Sequence, residues 1–376
     1  MMEKIVMIGP VYPYKGGISH YTGLLYRTLY KKYDVSMISY KFQYPRLLYK
    51  KKQKDYSNDS FKIENVKYII NTLNPFSWLQ CVKEIRSINP NIIIIQWWHP
   101  FFAPCYWTLC RHLKKYKKLF ICHNVFPHER FPMDKFLTKN VLRQGDCYIV
   151  QSEKDATDLN TIIQKPCYLR TVHPTYNAFK IQNISKIEAR EKLGLKDEKV
   201  LLFFGFVREY KGLKYLIEAM PIIVRTLEDI KLLIVGDFAN VGEKEEYQKL
   251  IQENNVASNI SIYDGYVPDK EVEKYFGACD LVVLPYISAT QSGIVQIAYG
   301  FEKPVVVTNV GGLPDVVEDG KTGYVVEACN KTELATAIIR FFNLNMEKHF
   351  VEETKKEAYR FEWDRMMEAI EKLMIK

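Results

Sequence analysis

Short apolar runs recur along the chain. Each is closed by a glycine, a proline or a polar turn and is followed by apolar residues at helical spacing. Lys4 to Gly9 reads as a first strand. The loop Gly9 to Gly17 then leads into Ile18, Tyr21, Leu24, Leu25 and Leu29, one face of a helix. Val35 to Ser39, Ile92 to Ile95, Leu119 to Cys122, Cys147 to Gln151 and Tyr168 to Thr171 are further strands. His173-Pro174 breaks the pattern, residues 173–186 read as a linker, and a short helix around Ala189 stops at Gly194. The alternation then restarts. Val200 to Val207 is a strand, and Leu213, Leu216, Ile217 and Met220 mark an amphipathic helix. Lys231 to Val235, Ile260 to Tyr263, Leu281 to Leu284 and Pro304 to Thr308 are strands. A closing helix is expected from about Val351, carrying Phe361, Trp363, Met366, Met367, Ile370, Leu373 and Met374. Strand–helix alternation of this kind predicts parallel, doubly wound sheets. A length of 376 residues with a break near 173 predicts two domains, each with its own core.

Composition narrows the class. With 47% hydrophobic and 26% charged residues the chain is globular. Its eight cysteines form no CxxC pair and no zinc spacing, so lone buried thiols in a reducing cytosol are expected. The first residues run directly into a strand, and no signal-peptide pattern precedes it. From Asn91 to Cys110 there is no Asp, Glu, Lys or Arg, a length that suits a membrane span. Gln96, His99, Pro100 and Pro104 would interrupt such a helix, so the segment reads as a buried strand, an aromatic loop and a helix start.

Charge is unevenly distributed. Residues 1–175 hold 27 Lys and Arg against 12 Asp and Glu, while the whole chain is only +9. A basic first half points to an anionic partner. Its densest runs are Lys50-Lys51-Lys52 with Lys54, and Arg111 to Lys118. The second reads as one face of a helix end, either simply solvated or facing a membrane. Lys41 to Ser60 is polar, basic and tyrosine-rich and is expected to be a mobile excursion. No RNP-like aromatic motif or helix-turn-helix accompanies the charge, so nucleic acid is not the expected partner.

Candidate chemistry clusters where strands end. Gly16-Gly17 lets the backbone approach a ligand at a helix entry, without the dinucleotide GxGxxG fingerprint. His123 follows a strand and could donate to a substrate hydroxyl, although a lone histidine is more often a local structural contact. Arg208 and Lys211 stand between a strand and a helix and suit a diphosphate, Arg as a fork and Lys as a point charge. In Asp280 to Pro314 a strand feeds the small, polar loop Ser288 to Gly293 and then a helix. Free N–H groups at that helix start favour a phosphate, though an ordinary turn in a parallel sheet would look similar.

Taken in order, Gly16-Gly17, His123, Gly205 with Arg208 and Lys211-Gly212, Asp280 to Pro285, and Lys303-Pro304-Val305-Val306 to Gly311-Gly312-Leu313-Pro314 resemble glycosyltransferase family 4 over nearly the whole chain. The resemblance implies a GT-B architecture: α/β, two doubly wound Rossmann-like domains facing across a cleft. Residues 1–172 with 355–376 would form the acceptor-side domain, and 173–354 the nucleotide-sugar domain. It further implies a retaining, hexosyltransferase-like enzyme that moves a sugar from a nucleotide-diphosphate sugar to a lipid-linked or polysaccharide acceptor. No cofactor or metal is expected beyond that co-substrate. Arg208, Lys211 and the Gln291-Ser292-Gly293-Ile294 helix entry would hold the diphosphate, Gly16 and Gly17 would approach it, and His123 would meet the transferred sugar. Localisation would be cytoplasmic, with the basic half against the inner face of the membrane. The chain departs from the family at one point. The paired glutamates of the donor loop are missing, since no Asp or Glu lies between Leu281 and Phe301. Their second position falls at Ile297, beside Gln296, which could bond a ribose hydroxyl more weakly. A subgroup with a QSG loop is one reading of this departure, and a non-catalytic nucleotide- or glycan-binding protein is the other.

Overall fold

The computed structural model describes all residues except Met1, Lys50, Lys51, Ser57, Asn58, His128, Glu129, Ala239 and Lys376. Two of the lysines in the Lys50–Lys54 run, and His128-Glu129 of the loop after His123, therefore lie outside the described residues. The chain divides into two compact units, Met1–Val172 with Glu362–Lys376, and His173–Phe361.

The first unit is built on β1 (Lys4–Ile8), α1 (Gly17–Tyr30), β2 (Asp34–Phe42), β3 (Val66–Asn71), α2 (Pro75–Ile88), β4 (Ile92–Trp97), α3 (Ala103–His112), β5 (Lys117–Cys122), α4 (Asp134–Leu142), β6 (Cys147–Val150), α5 (Glu153–Ile162) and β7 (Tyr168–Arg170). Its seven strands run parallel in the order β3-β2-β1-β4-β5-β6-β7. β1 and β4 are buried almost end to end, as strands covered on both faces by helices must be.

The second unit begins with a packed linker and continues through α6 (Lys186–Glu191), β8 (Lys199–Phe204), α7 (Leu213–Thr226), β9 (Ile230–Gly236), α8 (Val241–Glu253), β10 (Ile260–Asp264), α9 (Asp269–Ala278), β11 (Leu281–Leu284), α10 (Gly293–Gly300), β12 (Val305–Thr308), α11 (Leu313–Val316), β13 (Gly323–Val326), α12 (Lys331–Asn343) and α13 (Glu347–Glu357). Six parallel strands follow the order β10-β9-β8-β11-β12-β13. In both sheets the order reverses after the first strand laid down. The switch points are therefore β1/β4 and β8/β11, where open α/β sheets hold ligands beyond the carboxyl ends.

Four expectations need correction. The closing helix is interrupted: α13 ends at Glu357, a 3-10 turn covers Ala358–Phe361, and a separate helix, α14, runs Trp363–Ile375. Phe361 causes the break. Its ring is buried against Tyr299 at 5.6 Å, and its carbonyl accepts from Thr175 N at 3.0 Å, which no uninterrupted helix would allow. Arg111 to Lys118 is not one helix face, because α3 ends at His112 and Lys117 opens β5. Lys118 is buried there, its ammonium 2.7 Å from Asp146. Where an excursion was expected, part of 41–60 is bonded to the rest of the unit. Gln53 bonds the Tyr44 backbone in both directions (3.1 and 2.7 Å), and Lys15 N donates to Gln53 O at 3.0 Å. Residues 173–186 are likewise no loose linker. Tyr176 and Phe179 are buried, and the Glu273 carboxylate accepts from the Ile181, Gln182 and Ile184 amides at 2.6–3.1 Å.

Candidate nucleotide-diphosphate site

The second unit's switch point collects most of the residues singled out in the sequence. β8 ends at Phe204 and leads through Gly205 into a 3-10 turn at Glu209–Lys211. β11 ends at Leu284 and leads through residues 285–292 into α10. These two loops are laced together. Ile287 N donates to Tyr210 O at 2.7 Å, and Gly212, at φ +65°, brings its Cα so near Pro285 that an added Cβ would lie 1.9 Å from the carbonyl oxygen. Only glycine meets both demands. The far side of the loop is held by Thr308, whose hydroxyl donates to Tyr286 O at 2.6 Å, and by Gly312 N, which donates to Thr290 O at 2.8 Å.

Lys211 is buried in this setting, with its ammonium 5.0 Å from the Tyr286 ring centre. A Cβ on Gly205 would come within 3.3 Å of that ammonium and 3.6 Å of Ile294, so Lys211 and the start of α10 face the same small space. Among the described residues no carboxylate forms an ion pair with Lys211. Burial works against its charge, but the neighbouring Tyr286 and Tyr210 oxygens outweigh it and hold the pKa above the ordinary lysine value. Arg208 is near enough to weigh against that charge; its guanidinium donates to Val207 O at 3.0 Å and lies 5.8 Å from the Phe206 ring. The site thus keeps Lys211 charged with no described carboxylate to neutralise it, which leaves that charge for an anion.

The entry to α10 supplies the complementary groups. Ser292 is its N-cap, accepting from Ile294 N at 3.3 Å, and Tyr286 Oη stands 3.3 Å from the same hydroxyl. Gly293 follows, its Cα close to the Tyr176 ring, and Gln291 precedes the cap. The helix offers backbone N–H groups with no intrahelical acceptor, together with the positive end of its dipole. Gln296 lies on the same helix but points away from solvent altogether. Its side chain is fully buried and neither amide atom has a protein partner. Ile297, at the position where the family pattern has glutamate, is buried as well.

The first unit holds Gly16, Gly17 and His123. Gly16 is the N-cap of α1 at φ +101°, with open space where a Cβ would go, so backbone conformation rather than crowding selects glycine. His123 follows β5 and is buried. Its Nε2 lies 2.8 Å from Gln96 Oε1, and because that oxygen can only accept, Nε2 carries the proton. Tyr21 meets the imidazole edge-on at 4.6 Å. Asp280, by contrast, stands at the amino end of β11, the edge of the sheet away from these loops, and serves the fold. Tyr286, Tyr176 and Gln96 were missed in the sequence. Tyr286 was visible within the loop stretch but had no spacing to mark it, and the other two contacts depend on segments remote in the chain.

His173, at the head of the second unit, donates through Nδ1 to Pro174 O (2.8 Å) and faces Tyr176 Oη at 3.2 Å. Burial pushes its pKa down to about 4, against the opposing pull of that carbonyl bond. The unfolded chain, titrating near ~6.5, takes up the proton first as pH falls. Stability of this unit is therefore expected to drop as pH falls from about 6.5 to about 4, by about 3 kcal/mol. Urea midpoints measured across that window should fall for the native chain and stay flatter for His173→Asn.

Both units have the parallel-sheet topology of GT-B proteins, the class that fold and switch-point loops define. Residues 185–357, most of the second unit, match the family model of glycosyl transferases group 1. An uncharacterized glycosyltransferase of Methanocaldococcus jannaschii is 30% identical over 48% of this chain and 45% of its own length. The alpha-D-kanosaminyltransferase of Streptomyces kanamyceticus is 24% identical over 56% of this chain and 55% of its own. The match thus spans about half the length of these curated relatives. Anabaena HepE, solved in complex with UDP-glucose, superposes with a TM-score of 0.76 at 16% identity, covering 99% of this chain and 100% of HepE. At that identity the likeness is one of fold.

Among the described residues no helix is long and apolar enough to cross a membrane, and no group of three or more His, Cys, Asp or Glu is placed to hold a metal ion.

Proposed function

We infer that the chain is a glycosyltransferase that takes its sugar from a nucleoside-diphosphate donor bound by the second unit. The observation that carries this reading is Lys211, a buried cation without a carboxylate, facing the N-terminus of α10 at the β8/β11 switch point. Cleavage of the donor leaves negative charge on the diphosphate. Lys211, Arg208 and the N–H groups after Ser292 are preset to receive it without reorganising, which is where such sites gain most of their rate. The reading calls on no cofactor beyond the nucleotide sugar. Gly16-Gly17 and His123, at the carboxyl ends of β1 and β5, are assigned to the diphosphate and the transferred sugar, and retention is assigned on the family resemblance. The basic first half favours a lipid-linked or polysaccharide acceptor carrying phosphate or other anionic groups.

Incubated with a panel of nucleotide sugars and no acceptor, the protein should slowly release one nucleoside diphosphate, and that donor should raise the melting temperature. A protein that neither binds nor hydrolyses any member of the panel would sink the reading. The absence of Asp and Glu from Leu281 to Phe301 favours one alternative, a non-catalytic GT-B protein that binds nucleotide or glycan. Binding without turnover across a range of acceptors would decide for it.

A further inference from the structure

One surface of the first unit combines features that the transfer reaction does not use. α3 and α4 pack side by side, and between them lies an open groove of about 290 Å³ lined by Pro104, Trp107, Phe136, Leu137 and Val141 among others. Its rim is apolar and exposed: Met133 is 65%, Phe136 60% and Trp107 39% accessible. Apolar side chains of this size grouped around a groove are not ordinary surface. The surrounding charge has one sign. From Ala103 to Arg143 the sequence carries nine Lys and Arg against two acids, Glu129 and Asp134. Arg111, Lys114, Lys115, Lys135, Lys139 and Arg143 are all exposed. Asp134 does not offset them. It is buried, and the Arg130 side chain bonded to it holds its carboxyl below the usual carboxylate range despite burial. Arg111 lies 4.9 Å over the Trp107 ring, so cation and apolar face are presented together.

We propose that the α3–α4 face of the first unit docks onto an anionic phospholipid surface, with Met133, Phe136 and Trp107 entering the headgroup–acyl boundary and the flanking lysines and arginines meeting the lipid phosphates. Each half of the patch fits this partner. Apolar tips gain by leaving water at the interface, and each basic side chain near an anionic leaflet adds to the attraction. A nucleic-acid backbone would satisfy the cations but leave Met133 and Phe136 in water. The face is distinct from the Lys211 site, so docking and donor binding are separable.

The test is flotation of the full chain with vesicles of phosphatidylcholine alone and with phosphatidylglycerol mixed in, at low and moderate salt. The native chain should float only with the anionic vesicles, less so as salt rises. Lys135→Ala and Lys139→Ala should each lower the partition about fivefold. Phe136→Asp should abolish flotation. Because Phe136 is exposed, that variant should keep its melting temperature and its nucleoside-diphosphate affinity. Native chain that stays unbound with anionic vesicles, or Phe136→Asp that floats like the native chain, would overturn the proposal. So would sedimentation showing a concentration-dependent dimer that Phe136→Asp dissolves while vesicles are ignored, which would assign the groove to a second copy. None of these outcomes touches the donor reading, which fails or survives on nucleotide binding.

Discussion

Replacing Lys211 with alanine should weaken nucleoside-diphosphate binding by about 1.5–3 kcal/mol, the range for a hydrogen bond to a charged group, or roughly 10- to 150-fold in affinity. Donor cleavage should fall further, by about 100- to 1,000-fold, because the ammonium is aimed at charge that grows as the sugar leaves. The stability of the variant should change much less. Lys211 is buried and the Tyr286 and Tyr210 oxygens hold its charge, but no described carboxylate pairs with it, so its removal strands no buried opposite charge. Lys211→Met, which keeps the apolar stem, should lose the affinity with only a small fall in melting temperature. Calorimetric titration with nucleoside diphosphates, run beside a thermal melt, separates the possibilities. A variant that melts lower yet binds as the native chain does would show that Lys211 braces the β8–β11 loops and nothing more.

Asp280→Ala should do the opposite, costing about 3–5 kcal/mol of stability through loss of one partner of a buried ionic group. The Asp280 carboxylate accepts from Arg190 Nη2 at 2.9 and 3.1 Å and from Val200 N at 2.7 Å, and it lies 2.6 Å from the Lys186 ammonium. It thereby ties α6 to the amino ends of β8 and β11. Removing it leaves the Val200 amide without that acceptor and Arg190 charged and mostly buried. Denaturant unfolding should show the loss, and nucleotide affinity measured on the folded fraction should change little. Asp280 stands in the same sequence stretch as the polar loop of the site. Position in the strand separates the two roles, since a group at the amino end of β11 cannot reach a ligand at its carboxyl end.

The sequence was most legible where one physical signal acted alone. Buried parallel strands such as Ile92 to Ile95 and Leu281 to Leu284 need apolar side chains on both faces, and they stood out as unbroken runs. β3 gave no such run. It is an edge strand in which Val66, Lys67, Tyr68, Ile69, Ile70 and Asn71 are mostly part-exposed, so its alternation was diluted. The site was legible by charge and by glycine. Arg208 and Lys211 stood between strand and helix, and Gly212 marked a turn, but nothing local showed that Gly212 touches Pro285 more than seventy residues on. Gln296 shows the limit most clearly. A polar residue near the family's glutamate position reads as exposed to ligand, yet the helix turns it into the interior, where neither amide atom finds a protein partner. The break at Phe361 was hidden for a related reason. Apolar spacing continues through it, and only the contacts to Thr175 and Tyr299 stop the helix.

α14 returns to the first unit after the whole of the second has been laid down. There Trp363 meets Tyr21 at 5.0 Å, Glu371 bonds Lys32 and Tyr33 at 2.8 and 2.9 Å, and Ile370 and Leu373 are fully buried. On a ribosome, the apolar side of α1 that α14 covers must wait through nearly two hundred further residues of translation. The nascent first unit therefore leaves its exit from the tunnel incomplete. The second unit, contiguous in sequence, has no such gap, so the unit that is begun first is the last to have its chain complete.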